Sequence, residues 1–149
     1  ARSGRVGLLA FPAGASYYRS GYWVYRSAFE HVLKEILPVR LIDTDAPLST
    51  EITVTHQLAD AATRRPERYL IHLVNWSANR KAPPHPEVFE SPTPLRDVRV
   101  RLNLSSLEVA SARAICAGEK LRARAAEGGV EVVVPLVPIH EVVALEVRR

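Results

Sequence analysis

Residues 68–77 read RYLIHLVNWS, and the fold turns on how that stretch is taken. Leu70, Ile71, Leu73 and Val74 make an almost unbroken apolar run with both strand faces poor in water-seeking groups, the pattern of a central strand covered on two sides. The stretch predicts the heart of an antiparallel β-sandwich, with everything after residue 50 arranged as strands around it. Asn75, Ser77 and Asn79 stop the run, and a proline-rich excursion from Pro83 to Pro94 carries the chain onward.

The flanking segments agree in period. In EITVTHQL at 51–58, Ile52, Val54, His56 and Leu58 fall on one face and Thr53, Thr55 and Gln57 on the other. Between Leu95 and Leu104, Val98, Val100, Leu102 and Leu104 are expected to face inward while Arg99, Arg101 and Asn103 face water. Val109–Cys116 reads as a weaker, alanine-rich strand. Residues 120–126 and 130–134 read as a hairpin around Glu127, Gly128 and Gly129, whose glycines supply the positive φ of a tight turn. Pro135 and Pro138 mark a crossing, and IHEVVALEV at 139–147 is the last strand. Seven short strands separated by turn signals favour a sandwich.

The amino-terminal part has a different rhythm. RVGLLAF at 5–11 reads as a buried parallel strand closed by Pro12 and Gly14. Tyr22, Tyr25, Phe29, Val32, Leu33, Ile36 and Leu37 recur at helical spacing until Pro38 ends the helix. One strand and one helix cannot cover each other's second faces. Residues 1–45 are therefore expected to be the terminal strand and helix of an α/β domain, and residues 46–149 the sandwich. The fold class is mainly β: an antiparallel β-sandwich preceded by a strand-helix remnant.

Composition narrows the function classes. The net charge of +4 is spread evenly, residues 1–45 carrying six basic and four acidic groups and the remainder fourteen and twelve. A nucleic-acid surface needs a basic stripe with interleaved aromatics. Arg96, Arg99 and Arg101 instead sit at strand alternation and read as a solvated face, so no nucleic-acid partner is expected. No apolar run approaches the roughly 20 residues that span a bilayer, and no membrane association is expected. The lone Cys116 excludes an internal disulfide framework, and a cytoplasmic location is the expectation. The absence of methionine, with only three lysines among the 20 basic residues, suggests a piece of a longer bacterial protein.

The ordered set HLVNWS at 72–77, PLRDVRVRL at 94–102, EGGVEVVVP at 127–135 and IHEVVALEV at 139–147 resembles the C-terminal end of bacterial glycoside hydrolases related to the family 42 β-galactosidases. GRVGLLAFPAGASYYRSGYWVYRSAFEHVLKEIL at 4–37 is similar to the closing strand and helix of the amidotransferase-like trimerisation domain that precedes the sandwich in such proteins. The resemblance implies a non-catalytic accessory module whose partner is the upstream catalytic domain of the same chain or a neighbouring subunit. The family's catalytic carboxylates belong to a TIM barrel, and no position here inherits them. A free-standing carbohydrate-binding or protein-interaction sandwich is the alternative.

No catalytic residue is assigned. Glu87 and Glu90 lie in the proline-rich loop, Asp43 and Asp45 in a connector, and all four read as solvated charges rather than a glycosidase pair. Cys116 has no local His or acid and no strand-to-helix elbow. His31, His56, His72, His85 and His140 lack the short paired spacing of a zinc site, so neither metal nor cofactor is expected. The candidate ligand-binding residues are Tyr17, Tyr18 and Trp23, from an aromatic cluster that includes Tyr22 and Tyr25. Aromatic faces stack on sugar rings, although such residues also pack at domain interfaces. Trp76 reads as a packing residue at the sandwich edge.

Overall fold

The computed structural model describes residues 6–76, 92–105 and 107–148. The chain divides between Arg40 and Leu41 into two compact units.

In the first unit, helices α1 (Ala13–Ser20) and α2 (Trp23–Ile36) follow one another. Gly21 ends α1 in the left-handed conformation, φ 65°, and donates its N–H to Tyr17 O at 2.7 Å. Lacking a Cβ, glycine adopts that conformation at little cost. The helix expected from Tyr22 to Leu37 is present as α2, whereas α1 falls between the expected strand and helix, where the sequence pattern assigned no element. The strand expected over 5–11 is not formed in the described residues 6–11. A strand needs an edge to pair with, and this unit contributes none. The segment instead lies on α2, so closely that a Cβ on Gly7 would stand 2.3 Å from Val32 Cγ1. Val6 and Leu8 are 94% and 89% exposed.

The second unit is a two-sheet antiparallel sandwich. Its strands are β1 (Ile42–Thr44), β2 (Thr50–Gln57), β3 (Arg68–Asn75), β4 (Leu95–Leu102), β5 (Val109–Ala114), β6 (Glu119–Leu121), β7 (Arg124–Ala126), β8 (Gly129–Val137) and β9 (His140–Val147). One sheet has the order β1-β4-β8-β7, the other β2-β3-β9-β5-β6. Inward side chains of both close the core: Ile71 and Leu73 from β3, Val98, Val100 and Leu102 from β4, Val132 and Val134 from β8, Val143 and Leu145 from β9. Period-two alternation puts these residues on one face of each strand.

The strand covered on both sides is β9. Glu141 to Leu145 are all buried, and β9 is the middle strand of its sheet. In β3, Ile71, Leu73 and Asn75 are buried, while Leu70, His72 and Val74 on the outer face are only half-buried. RYLIHLVNWS is thus the neighbour of the central strand.

The stretch expected as one hairpin arm at 120–126 is two strands in different sheets: β6 pairs with β5 and β7 with β8. The β7–β8 turn forms as expected, with Gly128 at φ 76°. Its neighbour Gly129 is needed for another reason, since a Cβ there would lie 2.0 Å from Leu102 O. Pro135 does not mark a crossing. It lies inside β8, between the pairs Val134–Val98 and Leu136–Arg96.

The connector acids also have structural tasks. Asp43 accepts from Arg101 NH2 at 2.6 Å and Asn103 Nδ2 at 2.7 Å, and Asp45 Oδ1 accepts the Arg99 N–H at 2.8 Å. Both pin β1 and its exit to β4. The register aligns Asp43, Arg101, Glu131 and Arg124 in one rung across the four-stranded sheet. Alternating signs make each charge the neighbour of its opposite.

Candidate functional site

The expected ligand residues lie at the junction of the two helices. Pro12 precedes α1 and Gly21 follows it; Ser20 then fixes the link by donating Oγ–H to Ser16 O at 2.8 Å and accepting the Tyr22 N–H at 3.2 Å. Tyr22 stands between Trp23 and Tyr25, ring centroids 6.3 and 5.9 Å away, the second pair edge-to-face, and Phe11 meets Tyr25 at 6.1 Å. Edge-to-face geometry suits ring quadrupoles. Trp23 and Tyr18 remain 64% and 71% exposed.

Tyr17 and Tyr18 are successive residues of a helix and project about 100° apart around its axis. They do not share a face, and among the described residues no ring contact joins either to the Trp23 cluster. The cluster that does form is Phe11, Tyr22, Trp23 and Tyr25. Phe11 was hidden by the reading of residues 5–11 as a strand.

The sandwich holds a second group of chemically capable side chains. Cys116 Sγ lies 4.0 Å from His140 Nδ1, and the His140 ring stacks on His72 at 5.7 Å and 13°. Sequence reading left Cys116 without a partner because His140 is brought to it only by the β5–β9 pairing. Burial, followed by the nearby Glu141 carboxylate, pushes the Cys116 thiol up from its ordinary value. The thiolate that nucleophilic chemistry requires is therefore disfavoured.

The remaining acids and imidazoles serve structure. His56 stacks on Tyr69 at 4.3 Å and bonds Glu67 Oε1 through Nε2 at 2.9 Å. Asp60 is held below the usual carboxylate range, chiefly by the Thr63 hydroxyl and then by the Ala62 N–H. Glu87, Glu90 and His85 lie outside the described residues. An open recess of about 560 Å³ is lined by Asp60, Arg64, Arg65, Pro66 and Glu67 among others; of its two carboxylates, Asp60 accepts from the Ala62 N–H and the Thr63 hydroxyl, and Glu67 is bonded to His56. Among the described residues no group of three or more His, Cys, Asp or Glu is placed to hold a metal ion, and no helix is long and apolar enough to cross a membrane.

No family model matches the sequence, and no curated protein matches it. A solved structure does: α-L-fucosidase isoenzyme 2 from Paenibacillus thiaminolyticus, with a TM-score of 0.78 and 25% sequence identity over 95% of this chain. The chain spans only 20% of that protein's length. The likeness is to a glycoside hydrolase and gives no support to family 42 in particular. Fold and comparison together identify a glycoside-hydrolase-related β-sandwich domain preceded by a two-helix unit.

Proposed function

We propose that the chain is a non-catalytic accessory module of a bacterial, cytoplasmic glycoside hydrolase with a β-galactosidase-like parent. Its two-helix unit would close a trimerisation-type, amidotransferase-like domain, and its sandwich would pack on the catalytic part or on a neighbouring subunit. One observation carries the reading: the likeness to a fucosidase takes in nearly all of this chain yet only a fifth of that enzyme. The chemistry of the described side chains agrees. Asp43 and Asp45 anchor β1, Glu67 holds His56, and Glu141 is buried against backbone amides. Each of these acids is engaged by a partner of the fold, whereas glycoside hydrolysis needs a pair of carboxylates placed to act on the scissile bond.

The exposed rings of Tyr17, Tyr18 and Trp23 are proposed as sugar contacts of the helical unit. The test is hydrolysis of aryl α-L-fucosides and aryl β-galactosides by the 149-residue chain. No turnover above the buffer blank is expected. Turnover abolished by substituting a residue of this chain would overturn the accessory role.

A further inference from the structure

The loop joining β2 to β3 is built rather than slack. Asp60 and Arg65 exchange backbone hydrogen bonds at 2.9 and 3.0 Å, and Asp60 braces the turn between them by accepting the Ala62 N–H at 2.9 Å and the Thr63 hydroxyl at 2.8 Å. The turn leaves Arg64 at φ 54°, a left-handed backbone uncommon for residues other than glycine. Glycine would sit there with less strain, yet the chain carries an arginine. Arg64 and its neighbour Arg65 both line the open recess of about 560 Å³ beside this loop, a volume within the range of small-ligand sites. The recess lies where β3 begins, about 24 Å along that strand from Asn75.

The recess is rich in donors and poor in acceptors. Each guanidinium brings a fork of N–H groups, and among the described residues the protein answers them with a single side-chain bond, from Arg65 NH2 to Leu58 O at 3.2 Å. The Arg65 Nε is buried without an acceptor. The acids of the recess are already engaged, Asp60 within the turn and Glu67 with His56. Two arginines and two acids balance in charge, so selection rests on directed donors and not on a long-range field. The group that supplies the missing acceptors is an oxyanion, which guanidinium binds through short, often paired, charge-assisted bonds. Ala59, Ala61, Pro66 and Val147 complete the lining and suit the apolar C–H face of a pyranose. We infer that Arg64 and Arg65 bind the carboxylate of an acidic sugar, a hexuronate, with its ring over the apolar part of the recess.

Placing the oxyanion on a sugar rests on the carbohydrate setting of the proposed function, and the test reads binding rather than turnover. Titration of the uniformly ¹⁵N-labelled 149-residue chain with D-galacturonate at about 0.15 M salt should shift the backbone amides of the 59–67 loop saturably, with Kd on the order of 10 mM. D-Galactose, which lacks the carboxylate, should bind about tenfold more weakly or worse. Arg64→Gly suits the left-handed backbone and should keep the melting temperature and amide spectrum of the parent while weakening galacturonate about tenfold. Arg65→Lys keeps the charge but loses the fork, and should weaken it severalfold. Loop amides that stay unshifted at galacturonate concentrations about tenfold above that Kd overturn the inference, as does a Kd unchanged in Arg64→Gly. Galactose 6-sulfate binding more tightly than galacturonate would replace the carboxylate by a sulfate ester, and acetate or a polyglutamate peptide matching galacturonate would remove the sugar. A silent recess in a chain that hydrolyses nothing leaves the accessory role standing, whereas hydrolysis would remove that role without touching the titration.

Discussion

Glu141, on the core-facing side of β9, reaches the turn after β5 and accepts the backbone N–H of Cys116 at 2.8 Å through Oε1. Oε2 accepts the Ala117 N–H at 3.1 Å, and Oε1 also takes the Val142 N–H at 2.8 Å. The side chain is only 1% exposed. A carboxylate in such a place is stable because several donors replace its water.

Glu141→Ala should therefore cost about 2–4 kcal/mol, since two turn amides lose their acceptor and a cavity remains. Glu141→Gln keeps the shape and one carbonyl oxygen and should cost clearly less. Urea denaturation of the three chains checks the order, and equal midpoints would mean that the turn does not depend on this side chain.

The same carboxylate bears on Cys116. With burial first and Glu141 second raising the thiol, the folded chain retains a proton that the unfolded chain releases near pH 8.5. The associated stability is present below that pH and is lost as pH rises through the folded value. The midpoint of the pH profile for iodoacetamide alkylation of the native chain should lie above that of free cysteine, and Glu141→Gln should move it down. A midpoint at or below free cysteine would contradict the assignment.

Val100 is fully buried, at the centre of the sheet-to-sheet contact. Val100→Ala should lower stability by about 1–3 kcal/mol through lost burial and a residual cavity. Val133→Ala, one residue from Val132 but on the exposed face, should fall within about 0.5 kcal/mol of the parent. Similar midpoint shifts for the two would refute the assignment of faces.

How much of this was legible in the sequence depends on what each residue answers to. Val98, Val100 and Leu102 answer to a period-two pattern, and their inward face could be read directly. Residues 119–126 are neutral to which sheet they join, so the switch at Arg122 and Ala123 was invisible. Proline and glycine at 12 and 21 are ordinary start and stop signals for a helix, and α1 was missed because the apolar run before it was taken as a strand. Cys116 with His140, and Trp76 with Glu51, meet only through pairings of distant strands, for which local spacing carries no signal.

The two glycines of the β7–β8 turn should fail differently. Gly128→Ala forces a side chain into φ 76°, at about 1–2 kcal/mol. Gly129→Ala drives a Cβ onto Leu102 O and should cost more, because backbone rather than a flexible side chain must yield. Thermal melts of both variants decide it, and a milder Gly129→Ala would show that β4 moves easily.

In the two-helix unit, α2 has no buried residue, and Phe29, Val24 and Leu37 are exposed with Val6 and Leu8. Apolar patches of more than a few hundred Å² are uncommon on monomers. Sedimentation should show the full chain associating at high micromolar concentration and a chain beginning at Pro47 remaining monomeric. A strictly monomeric full chain would remove the case for residues 1–40 as a unit that needs a partner.

The brevity of β1, β6 and β7, three residues each, governs how the sandwich avoids amyloid-like growth. These three and β2 are the outermost strands, and a long unpaired strand recruits a further one from another molecule. Among the described residues, β7 pairs with β8 only as far as Glu131, and beyond it Pro135 removes a donor. Among the described residues, β1 pairs with β4 only from Val100 to Leu102; before that the Arg99 N–H is taken by Asp45, and Asp97 kinks the backbone at φ 52°. Among the described residues, β2, eight residues from Thr50 to Gln57, is the one regular, full-length outer strand. If copies of this chain ever polymerise through their backbones, β2 is where the first intermolecular ladder would start.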